Sequence, residues 1–125
     1  MKWFFASDLP IYSQLIEQIK VAIVTRVFAP GDRLPSVRDL STEAGVNPNT
    51  MQRALAQLEA EGLVYSQRTA GRFVTEDQSH IDAAKRELAM RHATTFLAAM
   101  KRLDIGKEEA LALLEQARGE ESEEA

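Results

Sequence analysis

Residues 45–53 read Gly-Val-Asn-Pro-Asn-Thr-Met-Gln-Arg, GVNPNTMQR. Gly45 accepts the left-handed backbone that closes a helix C-terminus, where a Cβ would clash. Asn47 suits the cap of a following helix, and Pro48 its first position, where no N–H is needed. Val46 between them reads as a core residue. The remaining polar residues, Asn49, Thr50, Gln52 and Arg53, are too polar for packing and too well capped for a loop. The stretch therefore predicts a tight turn between two helices, the second turning hydrogen-bonding side chains outward from its start.

The flanking sequence fits that turn. Ser36 opens the earlier helix, SVRDLSTEA, with Asp39 favourably placed in its first turn. The later helix runs to Glu61, and Gly62 stops it. A preceding helix is predicted over 10–27, PIYSQLIEQIKVAIVTRV, with Asp8 as its cap and Pro10 at its first position. Its apolar face is Ile11, Leu15, Ile19, Ala22 and Ile23. The turn chemistry of APGDRLP at 29–35 ends it. Three helices packed on one another need apolar residues at Val37, Leu40, Ala44, Val46, Met51, Ala54, Leu55 and Leu58, and each of these is apolar.

After Gly62, the β-prone runs LVYSQ and RFVT flank RTAG, the pattern of a tight hairpin. A hairpin directly after a helix-turn-helix reads as a wing. Two further helices are predicted, over 79–103 and 107–118, and the like-charge end GEESEEA is expected to be disordered. The fold class is thus mainly α with a small β-hairpin. A winged helix-turn-helix occupies 1–76, a helical dimerisation region 77–118 and an acidic tail 119–125.

In a DNA-binding helix-turn-helix the second helix lies in the major groove, and its first residues meet base edges. Asn47, Asn49, Gln52 and Arg53 have the required chemistry, because Asn and Gln pair with adenine and Arg with guanine. Asn47 is first of all a cap. Thr50 and the free amides of the helix N-terminus suit phosphate, and Ser36 stands at the start of the preceding helix. At the wing tip, Arg68 and Arg72 flank Gly71, where backbone can approach a phosphate or a minor groove closely. As bland readings, Arg38 pairs with Glu61 or Asp39 in solvent, and Arg68 and Arg72 serve solubility.

Charge at first opposes this reading, since the net formal charge is −4. It is unevenly spread: residues 1–75 hold eight Lys/Arg against seven Asp/Glu, and residues 76–125 seven against twelve. A phosphate senses charges within about 8–10 Å, not the whole-chain sum. The chain has no cysteine, which removes disulfides and thiolate metal sites and is compatible with the cytoplasm. No apolar run reaches the length of a transmembrane helix, and MKWFFASDLP lacks the pattern of a secretory signal. His80 and His92, the two histidines, stand twelve residues apart without neighbouring ligands, so neither a metal nor a cofactor is expected. No phosphate loop, catalytic triad order or cysteine nucleophile appears, and the chain does not read as an enzyme.

GDRLPSVRDL, GVNPNTMQRALAQLEAEGLV and GRFV resemble the N-terminal winged-helix domain of GntR-superfamily transcriptional regulators. The Val-Asn-Pro-Asn-Thr run, PIYSQLIEQIK and the short helical C-terminal part resemble the YtrA-like subfamily. The resemblance covers residues 9–75 by motif and 76–118 by length and helical character. It implies a homodimeric repressor on an inverted-repeat operator. It also implies contacts from Arg38 in the second helix, from Asn49, Thr50, Gln52 and Arg53 in the recognition helix, and from Gly71 at the wing tip. The chain departs from the frequent family pattern at Pro48 and Gln52, where many members carry Arg. At the wing, Thr69-Ala70-Gly71 stands in place of Gly-x-Gly.

The C-terminal helices are too few to enclose a roomy cavity. Two copies packed together bury both apolar faces and set two recognition helices about 34 Å apart, one DNA turn. The interface candidates are Ile81, Leu88, His92, Phe96, Leu103, Leu111 and Leu114. A small-molecule effector would have to bind between protomers or between the two parts of the chain, and no residue identifies it. The rival reading is a winged helix used for protein–protein assembly without DNA, which the acidic total favours.

Overall fold

The computed structural model describes residues 1–118 in full and the backbone of 119–124. The expected disordered tail, 119–125, lies outside the fully described residues. Among the described residues the elements run, in chain order, α1 (Ile11–Val24), α2 (Val37–Ala44), α3 (Pro48–Ala60), a hairpin of β1 (Val64–Gln67) and β2 (Gly71–Val74), α4 (Gln78–Arg102) and α5 (Lys107–Glu124). The fold is thus the expected one: mostly helical, a winged helix followed by a helical part.

Helix α1 starts without the expected cap. Pro10 occupies the N-cap position and no side chain caps the helix, so Asp8 does not play that role. The helix also ends at Val24 and not at 27, because Arg26 takes a positive φ of 64° and the Phe28 N–H turns back to the Ala22 carbonyl. Leu15, Ile19, Ala22 and Ile23 are buried as the spacing requires, whereas Ile11 at the helix start is 37% exposed.

The turn between α2 and α3 follows the sequence closely. Ser36 Oγ accepts the Asp39 N–H at 3.0 Å and caps α2. Gly45 has φ 70° and ψ 36°, the left-handed cap. Asn47 Oδ1 accepts the Asn49 N–H at 2.8 Å, and Pro48 begins α3. Replacing such a cap by alanine typically costs about 1 kcal/mol. Met51, Ala54, Leu55 and Leu58 then bury one stripe of α3 against Leu15, Ile19 and Ile23 of α1 and Leu40 of α2. Val37, Ala44 and Val46 are half-buried against that core. Each fully buried Leu, Ile or Met contributes about 1.5–3 kcal/mol through lost water contact.

The hairpin is antiparallel, with Val64 opposite Val74 and Gln67 opposite Gly71. Val64, Val74 and the preceding Leu63 face the core, while Tyr65 and Phe73 stack at 5.7 Å. The segment before α2 is more than a turn. Arg33 bridges Phe73, and the Leu34 N–H donates to the Arg72 carbonyl at 2.9 Å, so a one-residue third strand ties the wing to the start of α2.

Residues 1–9, unassigned from sequence, are laid along α1 by two side-chain amides. Gln14 accepts the Ala6 N–H at 2.7 Å and returns a bond to the Ala6 carbonyl at 2.9 Å. Gln18 makes the same paired exchange with Phe4. These amides act as a strand would, which explains how an extended segment satisfies its backbone without a sheet. Trp3 and Phe5 stack at 6.0 Å and pack against the core.

The chain divides into two compact units, Met1–Arg86 and Glu87–Ala125. The division falls inside α4 and not at 76/77, because Ile81 and Ala84 belong to the core of the first unit. Asp77 starts this helix: its Oδ1 accepts both the Ser79 N–H at 3.0 Å and the Ser79 hydroxyl at 2.5 Å. In the second unit Leu88 and Ala110 are buried. Among the described residues no helix is long and apolar enough to cross a membrane.

Candidate nucleic-acid interface

The burial of Met51, Ala54, Leu55 and Leu58 fixes the rotation of α3, and the residues between them must face out. Asn49, Gln52 and Arg53 are exposed and Thr50 is half-buried. Asn49 and Arg53 are four residues apart and share a face, with Gln52 beside them. Asn47 is exposed but spends its Oδ1 on the Asn49 N–H, in keeping with its reading as a cap.

Arg38, in the first turn of α2, is exposed. Glu61, the carboxylate of its bland pairing, has its Oε1 2.6 Å from Lys20 Nζ. Among the described residues no carboxylate pairs with Arg38 or Arg53. The Arg53 guanidinium instead lies 4.6 Å from the centroid of the Tyr12 ring, at the start of α1.

The wing and the start of α2 line a common notch. A notch of about 230 Å³ is lined by Arg33, Leu34, Pro35, Ser36 and Val37 on one side and Gly71 and Arg72 on the other. Gly71 has φ 104°, and a Cβ there would stand 3.2 Å from Arg33 Nε. Arg33 was missed by the motif reading, which took 29–35 as turn alone; its partner Phe73 is 40 residues on, beyond any local signal.

The two wing arginines differ. Arg68 is exposed at the tip, whereas Arg72 is folded back towards α3. Its Nη1 lies 3.4 Å from Gln52 Oε1 and its buried Nε 3.5 Å from Glu59 Oε1, without a hydrogen bond at Nε. The Ser66 hydroxyl donates to the same Glu59 oxygen at 2.6 Å. Solubility therefore does not explain Arg72: it ties the wing to α3.

The second unit presents an apolar groove of about 440 Å³, almost free of polar surface, lined by His92, Phe96, Leu97, Leu111 and Leu114 among others. Leu111 and Leu114 are 53% and 47% exposed and Leu103 is 66% exposed. The interface candidates His92, Phe96, Leu111 and Leu114 come together there, and Leu103 stands outside the groove lining. Ile81 is corrected: at 3% exposure it is spent in the winged-helix core and not offered to a partner. Leu88 is likewise buried, at 6%.

Comparison with known proteins agrees with the geometry. The model of the bacterial regulatory proteins of the gntR family matches residues 11–74. The chain is 39% identical over 107 residues to the uncharacterised HTH-type transcriptional regulator YhcF of Bacillus subtilis, spanning 86% of this chain and 88% of that one. It is 42% identical over 71 residues to the HTH-type transcriptional repressor YtrA of Bacillus subtilis, spanning 57% of this chain and 55% of that one. A GntR family transcriptional regulator from Listeria monocytogenes superposes with a TM-score of 0.84 at 38% identity, over 90% of this chain and 98% of that one. The AraR DNA-binding domain, in a crystal structure with its operator, superposes with a TM-score of 0.55 at 29% identity, over 60% of this chain and 96% of that one. Motif, fold and relatives agree, and the chain belongs to the GntR family of bacterial transcriptional regulators.

Proposed function

We propose that this protein is a cytoplasmic transcriptional repressor, without catalytic activity, that binds an inverted-repeat DNA operator as a homodimer. The observation that carries the reading is the outward face of α3. Asn49, Thr50, Gln52 and Arg53 project from a helix whose opposite stripe is fully buried, so their presentation is rigid. Asn, Gln and Arg supply the donors and acceptors that base edges require. Ser36 and Arg38 at the start of α2, and Arg68 and Gly71 at the wing, flank that face and suit phosphates. The AraR domain bound to its operator shares the fold, and the name of YtrA supports repression.

Homodimerisation is supported by the apolar groove of the second unit. Leu111 and Leu114 are too exposed for a helix surface that meets only water, and a second copy provides the matching apolar face. Two linked recognition helices then read two half-sites of opposite sense.

Selection of bound sequences from randomised duplex DNA tests the reading. A palindromic consensus is expected, with affinity that falls steeply as salt rises through release of phosphate counterions. Arg38→Ala should weaken consensus binding by about 1–3 kcal/mol. Leu111→Glu with Leu114→Glu should yield a monomer in light scattering and weaken binding to the full palindrome. No enriched sequence, together with salt-independent or absent duplex binding, would leave the protein-assembly reading in its place.

A further inference from the structure

We propose that Tyr12 is a positioning residue for base recognition: its ring face holds the Arg53 guanidinium so that the edge donors of Arg53 stay free for a guanine. This rests on the DNA-binding reading above and names the residue that sets its specificity at one base.

A guanidinium is planar, with its N–H donors in the plane and none on its faces. An ion pair with a carboxylate would occupy that edge, the same edge that binds guanine O6 and N7. Stacking on an aromatic ring occupies a face and leaves the edge open. Arg53 has an aromatic partner: its Cζ lies over the Tyr12 ring, 4.6 Å from the centroid, and among the described residues no ion pair joins it to a carboxylate.

The mount is rigid. Tyr12 lies in the first turn of α1, is half-buried and packs against the core. Arg53 leaves α3 between the buried Met51 and Ala54. An unsupported arginine on a helix surface samples many rotamers, and ordering it on binding costs free energy. The ring reduces that cost before DNA arrives. Stacking at an exposed site corresponds to about a two- to fivefold change in affinity.

The test measures binding of the full chain to the selected consensus duplex and to its single-base variants, for wild type, Tyr12→Phe, Tyr12→Leu, Arg53→Ala and Tyr12→Leu/Arg53→Ala. Thermal melting accompanies each variant, and leucine is chosen because it keeps the apolar packing. Arg53→Ala should abolish preference at one base pair and so identify it. Tyr12→Leu should weaken consensus binding about two- to fivefold, lower the preference at that same base pair alone, and have no effect in the Arg53→Ala background. Tyr12→Phe should behave as wild type, because it retains the ring face. Equal weakening on every duplex, or weakening that persists without Arg53, would overturn the proposal, as would tighter binding by Tyr12→Leu, which would mean that the ring withholds Arg53 from DNA. Failure of wild type to select any sequence would instead overturn the DNA-binding reading beneath it.

Discussion

Arg72 Nη1 donates to Gln52 Oε1 across 3.4 Å, joining the second strand of the wing to the outward face of α3. The same guanidinium neighbours Glu59, which also receives the Ser66 hydroxyl, so one acidic residue of α3 gathers a contact from each strand. The orientation of the wing is therefore coupled to the helix expected to read bases.

Loss of that tie should loosen the wing. Arg72→Ala is expected to lower the unfolding free energy by about 0.5–1.5 kcal/mol, the net scale of one ordinary hydrogen bond. Arg72→Lys should not restore it, because a single ammonium cannot span Gln52 and Glu59 as a planar fork does. Urea unfolding followed by circular dichroism measures both. Wild-type stability in Arg72→Ala would show that the wing is held by its strands alone.

Gly71 should tolerate no side chain. Its φ of 104° is a conformation that L-residues rarely adopt, and an added Cβ would press on Arg33 Nε at 3.2 Å. Gly71→Ala is expected to destabilise the fold by about 1–3 kcal/mol, the scale of local backbone strain. The loss should appear in a melting curve without any DNA present, which separates it from a contact made at the wing tip.

Lys20 is 6% exposed on α1, and its Nζ lies 2.6 Å from Glu61 Oε1 at the end of α3. Removing only the anion strands an ammonium in the core. Glu61→Gln is therefore expected to cost about 1–3 kcal/mol, less than a fully buried pair because Glu61 is 31% exposed. Lys20→Met removes the charge and keeps the packing, and should stay within about 1 kcal/mol of wild type. If chemical denaturation ranked the two variants in the opposite order, the pair would be a net source of stability.

Asp77 caps α4 in a pH-dependent way. The Ser79 hydroxyl and then the Ser79 N–H hold its carboxyl below the ordinary value of 3.8. A carboxylate whose pKa is depressed by folding contributes stability above its unfolded pKa, and that contribution disappears as pH falls through the folded value. Asp77→Ala should thus melt at lower temperature than wild type at neutral pH, with the gap closing below pH 3.8. A gap of constant size down to acid pH would assign the effect to something other than the cap.

The sequence by itself determined the elements whose signals are local. Gly45, Asn47 and Pro48 specify the turn between α2 and α3 because positive φ, capping and a missing N–H are properties of single residues and their nearest neighbours. The outward set on α3 followed, since four buried positions fix the rotation of a helix. Ser36 and the Gly71 hairpin were legible for the same reason. Tertiary structure alone decided what depends on residues distant in sequence: the bridge of Arg33 to Phe73, the inward turn of Arg72, the seating of Tyr12 beneath Arg53, and the Gln14 and Gln18 amides that bind residues 1–9. The same holds for Ile81, which sat on a helix stripe that could face either a partner or the core, and which the packing of α4 against the winged helix assigned to the core. A hydrophobic stripe reports that a face will be covered, and only the fold reports by what.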